Sequence, residues 1–186
     1  MKIYDLDRSN AIYIQATIEL LVEGFQNWPS AYSTEAASKE VLESLEANRL
    51  SRVAVSASGE VLGWIGGIPS YDDRVWEIHP LVVRSDVRRR GIGQALVADL
   101  EILAQNRGGL TLWVGTDDEC GQTSLSNVDL YPDVWTHVWQ IRNLNRHPYE
   151  FYQKQGFVIV GVMPDANGRG KPDIYMAKRI ERESSR

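Results

Sequence analysis

The amino-acid sequence predicts a mixed α/β fold in one domain. Helical and strand-like segments alternate along the chain, and two strand–helix–strand steps are expected to form parallel crossovers. No repeat or linker interrupts the 186 residues, and only a polar tail follows Ile180. A chain of this length buries a sizeable core without disulfides or metals, so we expect residues 1–186 to form a single domain.

The first half of the chain is predicted to place two helices before a strand hairpin and one longer strand. Apolar residues at three- and four-residue spacing predict a helix over 11–25, with Asn10 as its N-cap. A second helix is expected to begin at Ser33 or Thr34. Strands are predicted at 52–57, 61–68 and 76–83, with Ser58-Gly59 as the turn of the hairpin.

The second half is predicted to contain the clearest helix of the chain. One apolar stripe runs through residues 91–106, and Gly108-Gly109 ends that helix. Residues 116–146 show weak periodicity and several aromatic residues, and they are interpreted as an insertion. The remaining predicted elements are a strand at 110–115, a short helix at 148–155, and strands at 157–163 and 174–177.

Composition excludes several classes of protein. With 20 basic and 25 acidic side chains the formal net charge is −5, which disfavours duplex nucleic acid as a partner, because that affinity comes mainly from phosphate neutralisation. The single cysteine, Cys120, excludes an internal disulfide. Cysteine and histidine show no metal-ligand spacing, so no metal is predicted. No apolar run fits a membrane span, and the N-terminus does not resemble a secretory signal, so we expect a cytoplasmic protein.

Negative charge is concentrated in one segment. Residues 108–141 contain five acidic side chains and no Lys or Arg, so the segment alone has the net charge of the whole chain. Such a local field attracts cations. A solvated acidic loop is the alternative interpretation.

An arginine- and glycine-rich turn precedes the helix at 91–106. Its sequence is Arg88-Arg89-Arg90-Gly91-Ile92-Gly93, and Gln94 follows in the first helical turn. The glycines let the backbone approach a ligand, and the first N–H groups of a helix bind phosphate, so the turn predicts a pyrophosphate site. It matches neither the P-loop nor the dinucleotide fingerprint. A basic surface turn is the alternative.

This turn resembles the acetyl-CoA loop of the GNAT N-acetyltransferase superfamily, whose pattern is Arg-x-x-Gly-x-Gly. A second signature of that superfamily runs from Asn145 through Tyr152 and Lys154 to Gly156-Phe157. Longer motifs are similar to one branch, the aminoglycoside 6'-N-acetyltransferases of the chromosomal enterococcal type. They are Trp76–Val83, Gly115–Asp118, His147–Tyr152 and Lys171–Ile174, with Trp28-Pro29 and Tyr32.

The resemblance implies the GNAT acyl-CoA N-acyltransferase fold, a central mixed twisted sheet with helices on both faces. It implies acetyl transfer from acetyl-CoA to the 6'-amine of an aminoglycoside antibiotic, by direct attack in a ternary complex, and hence antibiotic resistance. It also implies a homodimer. Ser30-Ala31 stand where acidic residues are expected in the nearest relatives of that branch.

Pro80 lies inside an apolar strand, where a residue without an N–H predicts a bulge or a point at which strands part. In the GNAT fold two parallel strands splay and the pantetheine arm lies between them. The N–H of Leu81 is then the candidate oxyanion donor. The implied cofactor-binding residues are Leu81, Val83, Arg88, Arg89, Arg90, Gly91, Ile92, Gly93, Gln94, Asn145, Tyr152 and Lys154.

Glu77 and His79 are two residues apart, so their side chains are expected on one face of the strand. An amine substrate arrives protonated, since alkylamines titrate near pH ~10, and a nearby carboxylate accepts or relays its proton. Glu77 is therefore the candidate base, and His79 assists it or is a buried structural histidine. A solvent-facing strand residue is the alternative for Glu77.

Tyr152 lies on the short predicted helix at 148–155. The resemblance implies that its hydroxyl protonates the leaving thiolate, whereas a core tyrosine is the alternative. For the acceptor, a polycationic sugar is expected to need carboxylates and flat apolar faces. Asp117 and Asp118 are the candidate contacts to substrate amines, and Trp28 and Tyr32 form the expected opposite wall.

Two other functions remain open on the sequence. The same chemistry on a polyamine, another small amine or a peptide amine needs the same Glu77 and Tyr152. A module that binds acyl-CoA without turnover needs neither residue, so their presence favours an enzyme.

Overall fold

The computed structural model describes residues 1–28 and 31–181. Pro29 of the resembling motif and Ser30, which stands where an acidic residue is expected, therefore lie outside the described residues. The chain divides into two compact units, residues 1–112 with the C-terminal residues from 180, and residues 113–179. The single domain over 1–186 stays a prediction.

The first unit is built on four antiparallel strands in the order β1-β2-β3-β4. A 3₁₀ turn at Ser85–Val87 joins the last of them to the third helix. The elements are β1 (Lys2–Asp5), α1 (Ala11–Phe25), α2 (Thr34–Glu43), β2 (Leu50–Val55), β3 (Val61–Ser70), β4 (Val75–Val83) and α3 (Ile92–Asn106).

The second unit contributes three strands in the order β5-β7-β6, so the sheet has seven strands in all among the described residues. β6 and β7 are antiparallel. The elements are β5 (Thr111–Asp117), which begins at the end of the first unit, α4 (Val134–Trp139), α5 (Tyr149–Lys154), β6 (Val158–Met163) and β7 (Asp173–Arg179).

The predicted helices and strands are confirmed within two residues at each end, and so are two predicted caps. Asn10 Oδ1 accepts from the N–H of Tyr13 at 3.0 Å, and Ser33 Oγ accepts from the N–H of Ala36 at 3.1 Å. α4 was not predicted, because a helix of six residues is too short to show a periodic pattern. Asp133 caps it by accepting from the N–H of Thr136.

Helices cover both faces of the first unit's strands. On one face, α1 and α2 bury a cluster that includes Leu21, Val41, Trp64 and Val82. On the other face, α3 packs directly on β3, where Leu96 approaches Gly63 and Leu100 approaches Gly67. Glycines at these two positions let the helix lie close to the strand.

A β-bulge interrupts the pairing of β3 and β4 at the predicted position. Ile65 pairs with Leu81 and Gly67 pairs with Ile78, so two residues of β4, His79 and Pro80, stand opposite Gly66 alone. A Cβ on Gly66 would overlap the carbonyl oxygen of His79. Glycine is therefore required where the two backbones approach.

The bulge changes which side chains share a face of β4. Before it, Trp76 contacts Gly67 on the α3 face. After it, Val82 pairs with Trp64 and packs against Gly24 of α1 on the opposite face. In a regular strand Trp76 and Val82, which are six residues apart, would share one face. Glu77, which alternates with Trp76, therefore faces α1 and α2 together with Val82.

No helix in residues 1–28 and 31–181 is both long enough and apolar enough to cross a membrane.

Gly66→Ala tests the bulge. The added methyl group has to displace the backbone of β4, so the free energy of unfolding should fall by about 1–3 kcal/mol, as for other overpacked sites. Denaturant unfolding measures it. The matched control is Gly161→Ala in β6, where the added Cβ meets only Tyr175 at 3.9 Å. That control should change stability by less than about 0.5 kcal/mol, and equal losses in both variants would contradict the proposed contact.

Candidate active site

Two carboxylates flank one imidazole on the α2 face of β4. His79 Nδ1 lies 3.9 Å from Glu77 Oε1, which confirms that the two side chains share a face. His79 Nε2 lies 3.6 Å from Glu40 Oε2 of α2. The Glu77 and Glu40 side chains are only 29% and 17% exposed, so both charges are partly removed from water.

The three groups shift one another's protonation. Glu40 raises the pKa of His79 through its side-chain contact, and the contact with His79 lowers the pKa of Glu40. Burial raises the pKa of Glu77, and the positive imidazole opposes that rise. A half-buried carboxylate with a raised pKa is a stronger base for an ammonium proton than a solvated one.

Glu40 is the residue that sequence reasoning missed. It lies three residues after Ala37 and directly before Val41, both fully buried on the inner face of α2. A carboxylate at this spacing lies at the edge of the buried stripe, and that is the signal in the sequence. Its partner on β4 is fixed only by tertiary packing.

The pairing of β4 directs two backbone donors away from β3. The N–H of Arg84 donates to the carbonyl of Leu62, so Arg84 belongs to a hydrogen-bonded pair of the antiparallel ladder. Pairs alternate along such a ladder, and the N–H groups of Leu81 and Val83 therefore point to the other edge of β4. Both predicted cofactor-binding positions have this orientation.

The arginine- and glycine-rich turn leads into α3 through two left-handed residues, Arg89 (φ 63°) and Gly91 (φ 82°). Gly91 is the N-cap, and within the described residues no side-chain hydrogen bond caps the first N–H groups of the helix, at Ile92, Gly93 and Gln94. A Cβ on Gly91 would meet no atom within 4 Å, so this side of the turn is open. The arrangement fits a phosphate group.

The three arginines of that turn are exposed. Arg88 Nε donates to the carbonyl of Val83 at 3.0 Å, which ties the turn to the end of β4. Positive charge therefore surrounds the N-terminus of α3, as expected for an anion-binding turn.

The two aromatic residues predicted to form a substrate wall, Trp28 and Tyr32, lie in the first unit. Trp28 follows α1 and is half-buried. Tyr32 is also half-buried, and its ring packs edge-on against Phe25 with centroids 5.5 Å apart. Tyr32 thus packs at the margin of the core formed by α1 and α2.

In the second unit, Asp117 and Asp118 have different surroundings. Asp117 ends β5 with an exposed side chain, and its Oδ1 accepts from Asn167 Nδ2 at 2.5 Å. Asp117 therefore presents its carboxyl group at the surface, as a substrate contact requires.

Asp118 is fully buried, which corrects the expectation that it contacts a substrate amine. Its Oδ1 accepts from the N–H of Gln122, and its Oδ2 accepts from the N–H of Thr123 and the hydroxyl of Ser126, at 2.6 to 2.7 Å. Burial alone would raise the pKa of Asp118, but these bonds outweigh it and lower the pKa. Asp118 fixes the loop after β5.

Other acidic residues of the segment also serve local structure. Asp129 accepts from the N–H of Tyr131, and Asp133 caps α4. The interpretation as an acidic loop thus holds for these two carboxylates. Aromatic side chains beside them are exposed, with Trp139 at 89%.

His147 links the loop after β5 to the start of α5. Its Nε2 lies 3.2 Å from the carbonyl of Asp117, and its Nδ1 accepts from the N–H of Tyr149 at 3.3 Å. One nitrogen must donate while the other accepts, so the neutral ring is protonated on Nε2. Burial lowers the pKa of His147 and favours the same neutral form.

Tyr152 is buried on α5, and its ring contacts Phe151 and Phe157 edge-on, with centroids 5.0 and 5.4 Å away. Burial raises the pKa of Tyr152, so the phenol keeps its proton at neutral pH. Asn145 and Lys154 are exposed, and the backbone of Asn145 pairs with Gln122. Within the described residues, no group of three or more His, Cys, Asp or Glu side chains forms a metal site.

His147→Gln tests the neutral imidazole. The pKa of His147 is lower in the folded than in the unfolded chain, so the unfolded chain gains this proton first as the pH falls below about 6.5, and the contribution of His147 to wild-type stability should fall from pH 7.5 to 5.5. Glutamine keeps an N–H donor for Asp117, and the variant should lose less stability over that interval. At pH 8 the imidazole is neutral in the folded and the unfolded chain, so the difference in unfolding free energy between wild type and variant, measured there by denaturant unfolding, reports on packing alone. An unchanged pH dependence would contradict the assignment.

The acetyltransferase (GNAT) family model matches residues 14–131. A crystal structure of an aminoglycoside 6'-N-acetyltransferase complexed with coenzyme A is 43% identical, with complete coverage of both chains and a TM-score of 0.92. The aminoglycoside 6'-N-acetyltransferase from Enterococcus faecium is also 43% identical over both full chains, with a TM-score of 0.90.

A third structure, an aminoglycoside 6'-acetyltransferase type Ii, is 38% identical over 99% of this chain and 100% of that chain, with a TM-score of 0.76. A search of the curated proteins found no match. The similarities confirm the predicted fold class and the resemblance first indicated by the motifs. On the family match and the full-length identity, the chain belongs to the GNAT family of acetyltransferases.

Proposed function

We propose that this protein is an aminoglycoside 6'-N-acetyltransferase that uses acetyl-CoA. The observation that carries the proposal is 43% identity, over the full length of both chains, to two enzymes of that activity. The fold alone does not select an acceptor, because one fold supports many substrates. The motifs that resemble this branch extend from Trp28 to Ile174, beyond the cofactor turn.

The first chemical task is to remove a proton from the acceptor. An alkylammonium with a pKa near ~10 cannot attack a carbonyl until it is deprotonated. Glu77 accepts that proton, directly or through water, because its half-buried carboxylate has a raised pKa. His79 lies beside Glu77 and orients it.

The second task is to hold the acetyl donor. The residues fit coenzyme A, because arginines flank the N-terminus of α3 and no side chain in the part of the chain that the structure describes caps it. Bound acetyl-CoA supplies the activated acetyl group. The N–H groups of Leu81 and Val83 bind its arm, and the N–H of Leu81 donates to the thioester oxygen as negative charge develops there. Asn145 and Lys154 are the proposed outer contacts.

Acetyl transfer then forms the nitrogen–carbon bond and breaks the carbon–sulfur bond in one ternary complex, and the attacking nitrogen releases its second proton to solvent as the amide forms. The Tyr152 hydroxyl donates a proton to the departing sulfur, and solvent returns a proton to Tyr152. Because burial raises the pKa of Tyr152, the phenol is fully protonated before transfer.

Recognition of the acceptor is assigned to Asp117 and to the aromatic residues Trp28 and Tyr32. Asp117 is exposed and negatively charged beside a segment without basic residues, which supports attraction of a polycation. Acetylation of the 6'-amine removes one positive charge from the drug, and resistance is the proposed consequence.

We also propose a homodimer in the cytoplasm, where acetyl-CoA is supplied. A second copy is the proposed partner for the groove between α4 and β6, which is lined mostly by apolar residues. Exposed apolar side chains surround it, including Trp135, Trp139, Val158 and Val160.

The acceptor is tested by thiol release from acetyl-CoA. Neomycin should support turnover, whereas paromomycin, which has a hydroxyl in place of the 6'-amine, should support at least about 100-fold less, since a hydroxyl is a poorer nucleophile. Spermidine and a short peptide are the comparison acceptors. Turnover with either of these alone would replace the aminoglycoside by a small amine or a peptide amine. Binding of acetyl-CoA without any turnover would indicate a binding module.

The two neighbouring carboxylates are tested by Asp117→Asn and Asp118→Asn. Loss of the exposed charge in the first variant should raise the KM for neomycin by about threefold to fivefold, the scale of one surface ion pair, without loss of stability. The second variant should lower the free energy of unfolding by about 1–3 kcal/mol, because asparagine keeps only one of the two acceptor oxygens that the buried donors use. If Asp118→Asn instead raised the KM for neomycin and left the free energy of unfolding, measured with denaturant, unchanged, Asp118 would be a substrate contact, as the sequence predicted.

A further inference from the structure

We propose that Glu40 is a positioning residue for acetyl transfer, which holds the His79 side chain beside Glu77. The inference rests on the proposed function, in which Glu77 accepts the proton of the amine. The observation is a row of three side chains, Glu40, His79 and Glu77, with contacts of 3.6 and 3.9 Å through the two nitrogens of one ring.

Glu40 is itself held rigidly. Ala37 and Val41 are fully buried on α2 and belong to the cluster that includes Trp64 and Val82. Packing of these two residues therefore holds the part of α2 that carries Glu40. The carboxylate is only 17% exposed, so moving it away from His79 would leave a half-buried charge without its partner.

Each nitrogen of His79 faces a carboxylate. A ring with a carboxylate at Nδ1 and another at Nε2 is held in one orientation only when both nitrogens carry protons. Glu40 therefore stabilises the imidazolium, and the imidazolium keeps Glu77 ionised against its own burial. Without Glu40, the neutral ring could donate to only one carboxylate at a time.

The other charges around His79 do not replace Glu40. Arg49, before β2, acts against the protonated ring, and Lys39 on α2 acts on Glu40. Arg49 lies 3.9 Å from Glu43 and 3.5 Å from Glu46, so its charge is partly balanced elsewhere. Glu77 is the second acidic neighbour of the ring.

Glu40→Gln removes the charge and keeps the shape. In an NMR titration of the three histidine rings without acceptor, the pKa of His79 should fall, because the carboxylate that raises it is lost. With the amine accepted in the acceptor screen, kcat/KM should fall about tenfold, the scale of one charge-assisted hydrogen bond, while the KM for acetyl-CoA should not change. Glu35→Gln, in the exposed first turn of the same helix, should leave both readings at wild-type values.

A double-mutant cycle separates positioning through His79 from a direct or merely structural role. In a His79→Asn background, Glu40→Gln should cause no further loss of kcat/KM. An equal loss in both backgrounds, or an unchanged His79 titration, would overturn the proposal. If Glu40→Gln does not fold, Glu40→Asp keeps the charge and should retain the elevated His79 pKa, and an ordinary pKa there would also overturn it.

The test separates this inference from the proposed function. The His79 titration needs no substrate, so it reports on the Glu40 contact even if no aminoglycoside is acetylated. Turnover of a different amine would change the proposed acceptor. It would still support positioning by Glu40 if Glu40→Gln causes no further loss of kcat/KM in the His79→Asn background. If Glu40→Gln leaves the His79 titration unchanged and the wild-type protein acetylates neomycin, only the role of Glu40 is overturned.

Discussion

The close approach of Gly66 to the carbonyl of His79 is the constraint on which the first unit's chemistry depends. It permits two residues of β4 to stand opposite one residue of β3. The resulting shift in alternation places Glu77 and Val82 on the same face, so one face of the strand carries both a candidate base and a core residue. Without the bulge, a regular strand would separate them.

The surroundings give two histidines opposite electrostatic roles. His79 lies between two carboxylates, which raise its pKa and favour the imidazolium. His147 is buried between a backbone carbonyl and a backbone N–H, and burial lowers its pKa and favours the neutral ring. The first ring serves the candidate base, whereas the second joins a loop to α5. Residue type alone does not distinguish these roles.

The acidic segment shows the same division between function and structure. Asp118, Asp129 and Asp133 satisfy backbone N–H groups, so much of the segment's charge holds its own loops and caps. Asp117 keeps an exposed side chain at the end of β5. Adjacent residues alternate in direction at the end of a strand, which is why Asp117 is exposed where Asp118 is buried.

The sequence by itself determined the elements other than α4, the Arg88–Gly93 turn, the bulge at Pro80 and the shared face of Glu77 and His79, because each depends on local periodicity or backbone chemistry. The motifs also indicated the family. Only the tertiary structure decided that Glu40 meets His79 and that Asp118 is enclosed. The first contact joins residues 39 apart in the chain, and the second depends on how the loop after β5 folds back on itself. A linear pattern of residues does not show which distant side chains meet in space.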